Sequence, residues 1–182
     1  MKTFRKTSCL IFVFLSFLSF SGYCQETEDK IFSNDELKNA AKDIIEAAGT
    51  CALITLDNNG LPMVRVMDPF PVEDDFTVWL GTNPNSGKVN QIKSNPNVTL
   101  YYLGSNSSGY VVIHGKAQLI NDQSEKDVRW KTEWEAFYPN KTDAYLLIKI
   151  TPQWMEIVSY AHGIIGDPTT WQAPQVLFDS NE

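Results

Sequence analysis

The chain has 182 residues with 15 Lys and Arg against 22 Asp and Glu, and 43% of its residues are apolar. Setting aside residues 1–24, which carry Lys2, Arg5 and Lys6 but no acid, leaves 158 residues with a net charge of −10. A chain of that length makes one domain, and one this acidic is not drawn to nucleic acid by bulk charge. With three cysteines and no CxxC pair, a disulfide framework, a zinc site and a dithiol redox motif are excluded.

Residues 1–24 combine a basic start, an apolar run from Cys9 to Phe20 and a short polar end. This is the plan of a secretory signal peptide, and the run is too short for a transmembrane helix. Cleavage before Gln25 is expected, with lipidation of Cys24 as the alternative, so the chain is expected to be exported, in a bacterium to the periplasm. Residues 25–33 read as a flexible leader. Ser33 and Glu36 have capping-box spacing, and Leu37, Ala40, Ala41, Ile44, Ile45 and Ala48 form one apolar stripe that Gly49 stops. That pattern predicts a helix.

From Thr50 the period changes to two. Strands are predicted at Cys51–Asp57 and Leu61–Met67 around an Asn59-Gly60 turn, then at Phe76–Gly81 and Val98–Leu103. A short helix over 86–94 lies between the last two. A Ser/Asn/Gly-rich turn leads to a long strand over 110–120, and Asp122 with Glu125 opens a second helix expected to reach Tyr138. Two further strands, 144–150 and 154–160, complete the pattern, and 161–182 read as a C-terminal tail. The fold class predicted is mainly β (α+β), a six- to seven-stranded antiparallel barrel with flanking helices spanning 34–160. No later stretch is long and apolar enough to cross a membrane as a helix.

There is no HExxH and no GxSxG, and His114 and His162 are the only histidines, so a hydrolase triad or a zinc protease is not expected. His114 alternates with Val112 and reads as a core or groove residue. Arg65 is one of two arginines after residue 24, and it stands in an apolar strand where an unpaired guanidinium would be costly. It needs an anion, either a protein carboxylate or a ligand. The segment Gly81-Thr-Asn-Pro-Asn-Ser-Gly-Lys88 is not a Walker A loop, because its glycine spacing is wrong and Val89 replaces the magnesium-binding hydroxyl. What it does place at a helix N-terminus is Thr82, Ser86 and Lys88, which suits a phosphate. An ordinary helix cap with a solvated lysine is the other reading. Trp130, Trp134 and Phe137 stand at i, i+4 and i+7 of the second helix, the spacing of a packing stripe.

Three stretches, CALITLDNNGLPMVRVMDP, FTVWLGTNPNSGKVNQIKSNPNVTLYYL and YVVIHGKAQLIND, together resemble the FMN-binding split barrel of pyridoxamine-phosphate-oxidase-like proteins. Within that family the chain is most similar to the general stress protein branch. The resemblance implies FMN as cofactor, with Arg65, Ser86 and Lys88 on its phosphate. It places backbone at Val66 and Met67 along the flavin ring, and Thr82 and Asn83 at the ribityl chain or phosphate. It also implies a homodimer with two sites between subunits, and an aromatic from the 130s near the flavin, which adds Trp130 and Trp134 as candidates. Two family features are missing. Gly109–Gly115 lacks the arginine- and glutamine-bearing strand of the authentic oxidases, and Ser159-Tyr-Ala-His162 replaces their Arg-x-His clamp. Oxidation of pyridoxamine phosphate is therefore not expected, and the electron donor or substrate is open. A non-catalytic flavin-binding stress protein, or an exported barrel with an apolar ligand and no flavin, are the alternatives.

Overall fold

The computed structural model describes residues 31–179. Contacts divide the chain into Met1–Ile31 and Phe32–Glu182, and the second unit carries every helix and strand named below. The expected signal peptide, Cys24 and the leader up to residue 30 lie outside the described residues.

Helix α1 (Asn34–Ala48) begins with the anticipated capping box. The Ser33 hydroxyl accepts from the Glu36 N–H, the Glu36 carboxylate accepts from the Ser33 N–H, and Gly49 closes the helix in the left-handed region at φ 65°. Its apolar stripe, Leu37, Ala40, Ala41, Ile44 and Ile45, is buried against the sheet.

Seven antiparallel strands come after it: β1 (Cys51–Leu56), β2 (Pro62–Met67), β3 (Val78–Thr82), β4 (Asn97–Leu103), β5 (Gly109–Ile120), β6 (Leu146–Ser159) and β7 (Gln175–Leu177). The order is β2-β1-β4-β5-β6-β3, with β7 on the second half of β6. Just beyond β2, Pro69 bridges Leu80 of β3, and the Phe70 N–H donates to the Trp79 carbonyl at 2.9 Å, so the sheet's two ends meet. The chain forms an α+β split barrel. Short helices α2 (Gly87–Ser94) and α3 (Gln123–Val128) complete it, and no helix among the described residues is long and apolar enough to cross a membrane.

Four sequence expectations need correction. β3 starts at Val78 rather than Phe76, because Phe76 sits at φ 65° in a turn closed onto Glu73. The two last strands are one: β6 runs through Pro152, and the register of β5 shifts between His114 and Gly115, leaving Gln153 as the extra residue of a bulge. A bulge is where a sheet tolerates a residue without an N–H. The second helix stops at Val128 and resumes only as a 3₁₀ turn, Thr132–Ala136. Tertiary partners override helix propensity there. The Tyr145 hydroxyl donates to the Arg129 carbonyl at 2.5 Å, and Lys131 leaves the helical path to reach Asp68 and the Pro69 carbonyl. Finally, residues after Tyr160 are not a loose tail, since Ile164, Ala173 and Val176 are buried and β7 pairs with β6.

Candidate functional site

The β1–β2 register places Leu53 opposite Arg65. Alternation then puts Arg65 on the inner side with Leu53 and Thr55, and Val64 and Val66 on the outer side. Arg65 is half-buried, and its neighbours are neutral. Nη1 donates to Thr55 Oγ1 at 2.6 Å and Nη2 to Gln91 Oε1 at 2.8 Å, while the Thr55 hydroxyl donates to the same Gln91 oxygen at 2.6 Å. Arg129 shows the contrast: it pairs with Glu125 and with Glu73, the latter at 3.0 Å. Among the described residues Arg65 has no carboxylate partner.

The end of β3 and the start of α2 bring a second cation to the same place. Lys88 Nζ donates to Thr82 Oγ1 at 3.0 Å, and the Thr82 and Ser86 hydroxyls lie 3.1 Å apart. Ser86 is the N-cap of α2, yet its side chain makes no capping bond. Its hydroxyl is turned to Thr82, beside the first-turn N–H groups that lack intrahelical acceptors. Lys88 also has no carboxylate partner among the described residues. Burial, and then the positive charge of Arg65, push its pKa below the ordinary lysine value. Burial likewise lowers that of Arg65. Two half-desolvated cations held by neutral acceptors form a site of excess positive charge in an acidic protein. Such a site is complementary to an anion rich in oxygen acceptors.

A cleft of about 480 Å³ opens beside this cluster, with Val66, Met67, Thr82, Asn83, Lys88 and Trp134 in its wall. Six of the nine candidate residues thus line one cleft; Ser86 adjoins it through its contact with Thr82, and Arg65 lies near enough for its charge to act on Lys88. Trp130 does not line it. Its ring stands behind Trp134, centroids 6.2 Å apart and nearly perpendicular. Nor do the three aromatics form a helical stripe: Trp134 is buried, Trp130 half-buried and Phe137 exposed at the cleft rim. Trp134 can approach because position 81 is glycine. A Cβ there would lie 2.5 Å from the indole ring.

Sequence reasoning missed Thr55 and Gln91, which hold the guanidinium, and Tyr138 and Glu133 in the cleft wall. The first two left a trace. Thr55 is the hydroxyl residue on the buried face of β1, and Gln91 lies about one helical turn after Lys88. The two histidines are elsewhere. His114 stacks on Trp154 at 3.8 Å on the outer sheet face, with Nδ1 3.1 Å from the Thr99 hydroxyl. His162 links Ser159 Oγ (2.8 Å from Nδ1) to Asp43 (3.1 Å from Nε2). The order of groups is that of a hydrolase triad, but Ser159 is only 1% exposed, so the chain of contacts ties β6 to α1 instead of meeting a substrate.

A family model described as "Pyridoxamine 5'-phosphate oxidase like" matches residues 35–161. The chain belongs to that family. It is 29% identical over 126 residues to general stress protein 26 of Bacillus subtilis, an alignment covering 66% of this chain and 87% of the relative. The crystal structure of general stress protein 26 from Bacillus anthracis superposes with a TM-score of 0.60 at 27% identity, covering 68% of this chain and 94% of the other. A pyridoxamine 5'-phosphate oxidase-related, FMN-binding protein from Nostoc punctiforme gives a TM-score of 0.54 at 14% identity, over 83% and 98% of the two chains. At that identity the likeness speaks for the fold alone.

Proposed function

We propose that the chain is an FMN-binding flavoprotein and an oxidoreductase. The observation that carries this is the pair Arg65 and Lys88, half-buried and without a carboxylate among the described residues, beside a cleft of about 480 Å³. The flavin phosphate would take Arg65, Lys88, Thr82, Ser86 and the first N–H groups of α2. Val66 and Met67 would flank the ring, with Asn83 near the ribityl chain and Trp134 on the cleft wall. FMN bound there supplies a hydride acceptor and donor. The protein's part is to fix its position and charge environment.

Membership of the family supports this reading. Pyridoxamine phosphate itself is not the expected substrate, because no arginine follows Arg129 and Gly109–Gly115 carries neither arginine nor glutamine. The unit is read as a homodimer. Val64 and Val66 of β2, Ala52 and Ile54 of β1, Tyr101 of β4 and Val112 of β5 share the outer sheet face by register, and Val64 and Val66 are 64% and 75% exposed. An apolar face of this extent is what subunit pairing covers. Export remains part of the proposal, on the strength of residues 1–24.

The test is the absorption spectrum of the purified protein incubated with FMN and desalted. Retained flavin absorbance is expected. A colourless protein that takes up no FMN sinks the flavin reading and leaves a barrel with an apolar ligand. If FMN is retained, absence of turnover across nicotinamide and quinol donors would instead favour a non-catalytic binder.

A further inference from the structure

We propose that a second cleft, adjoining the first, binds a neutral planar carbonyl compound of one or two rings, the quinone class; this rests on the flavin reading for what lies beside it. The cleft is about 540 Å³, between the C-terminal half of α1 (Lys42, Ile45, Glu46) and the segment Asp68–Val72. That volume is in the range of small-molecule sites. Asp68 lines both clefts, so an occupant of this one would lie next to the flavin cleft.

The walls determine the class of ligand. Ile45, Pro69, Phe70 and Val72 offer flat apolar surface, and Phe70 is held edge-on against Trp134 at 5.3 Å. Such a surface favours a planar ring system. The charges of the lining balance: it holds two ammonium groups, Lys42 and Lys131, and two carboxylates, Glu46 and Asp68, with Lys131 meeting Asp68 at 2.6 Å and Lys42 turned to Asp74 outside the lining at 2.9 Å. Here the cleft differs from the Arg65–Lys88 site. It presents no surplus charge, so neither an anion nor a cation gains by entering. It does present a donor. The Lys131 ammonium has three N–H groups, and the contacts to Asp68 and to the Pro69 carbonyl (2.9 Å) use two. The third can meet a carbonyl oxygen without any change in net charge.

The experiment is calorimetric titration of 1,4-naphthoquinone into the full chain, with and without bound FMN. Saturable binding that FMN does not displace is expected. Glu46→Trp places a large ring over the cleft from an exposed helix position and should weaken binding about tenfold or more, with FMN affinity unchanged and Glu46→Ala as the neutral control. Lys131→Met should weaken it several-fold by removing the donor. Wild-type affinity in Glu46→Trp, or competition between naphthoquinone and FMN for one site, would overturn the proposal. Arg65→Ala separates the two readings. Loss of FMN binding with naphthoquinone binding intact supports both, whereas unchanged FMN affinity refutes the flavin assignment while the FMN-free titration still reports on this cleft.

Discussion

Arg65 is held by a threonine hydroxyl and a glutamine carbonyl, and this choice of neutral acceptors keeps its charge available. Each charge-assisted bond to a phosphate contributes about 1.5–3 kcal/mol. Arg65→Ala and Lys88→Ala are therefore expected to weaken FMN binding by roughly 10- to 100-fold, measured by fluorescence titration. The opposite experiment is more telling. Gln91→Glu would place a carboxylate where Gln91 Oε1 now lies, 2.8 Å from Nη2. It should raise the melting temperature of the FMN-free protein and lower FMN affinity together, because the protein would then supply its own anion. Lys88 allows a related check. Its pKa is depressed in the folded state, so below that value the folded protein carries a desolvation and repulsion cost that the unfolded chain does not. The cost is present at neutral pH and relieved as pH rises from the folded pKa toward the ordinary lysine value. Lys88→Met should stabilise the FMN-free protein at pH 7, and the advantage should shrink in that alkaline window in thermal melts.

At the scale of elements, the site is made where two strand ends and a helix start converge, and a glycine sets how tightly. Gly81 of β3 leaves the room that Trp134 fills, and Trp134 forms a wall of the cleft. Gly81→Ala must displace the indole from backbone contact. Overpacking of this kind costs about 1–3 kcal/mol, a melting-temperature loss of several degrees, and it should shift Trp emission to the red as the ring gains solvent. Much of this convergence is legible in the sequence. The Asn59-Gly60 turn places Arg65 by alternation, and Ser86 with Lys88 marks a helix mouth. Other parts are not legible, for physical reasons. The helix after Asp122 has adequate local propensity and is ended by contacts to Tyr145, Asp68 and Pro69, all distant in sequence. Strand β7 has three residues, with Val176 alone buried, and so has no period to read. Which acceptors Arg65 finds depends on α2 lying over β1, which periodicity does not reveal.

For the whole molecule, the outer sheet face predicts behaviour that the site does not. Val64 is 64% exposed on a strand paired within the sheet only to β1, so Val64→Glu can be tolerated by the isolated subunit but not by an apolar subunit interface. Sedimentation velocity should show a dimer for the parent and a shift to monomer for the variant, with an unaltered far-ultraviolet spectrum. A monomeric parent would remove the dimer reading. Strand β2 joins these two properties. Its even-numbered residues Val64 and Val66 face outward, and Arg65 between them faces Thr55 and Gln91 on the inner side. A single residue added to or deleted from the 58–60 turn would slide the pairing by one and exchange the two sets. On the proposed reading, ligand capture and self-association would therefore be inherited as one trait. Point changes can erode either alone, but an indel in that loop would reverse both at a stroke, so loop length should be the most intolerant dimension of this hairpin in a deep insertion-and-deletion scan.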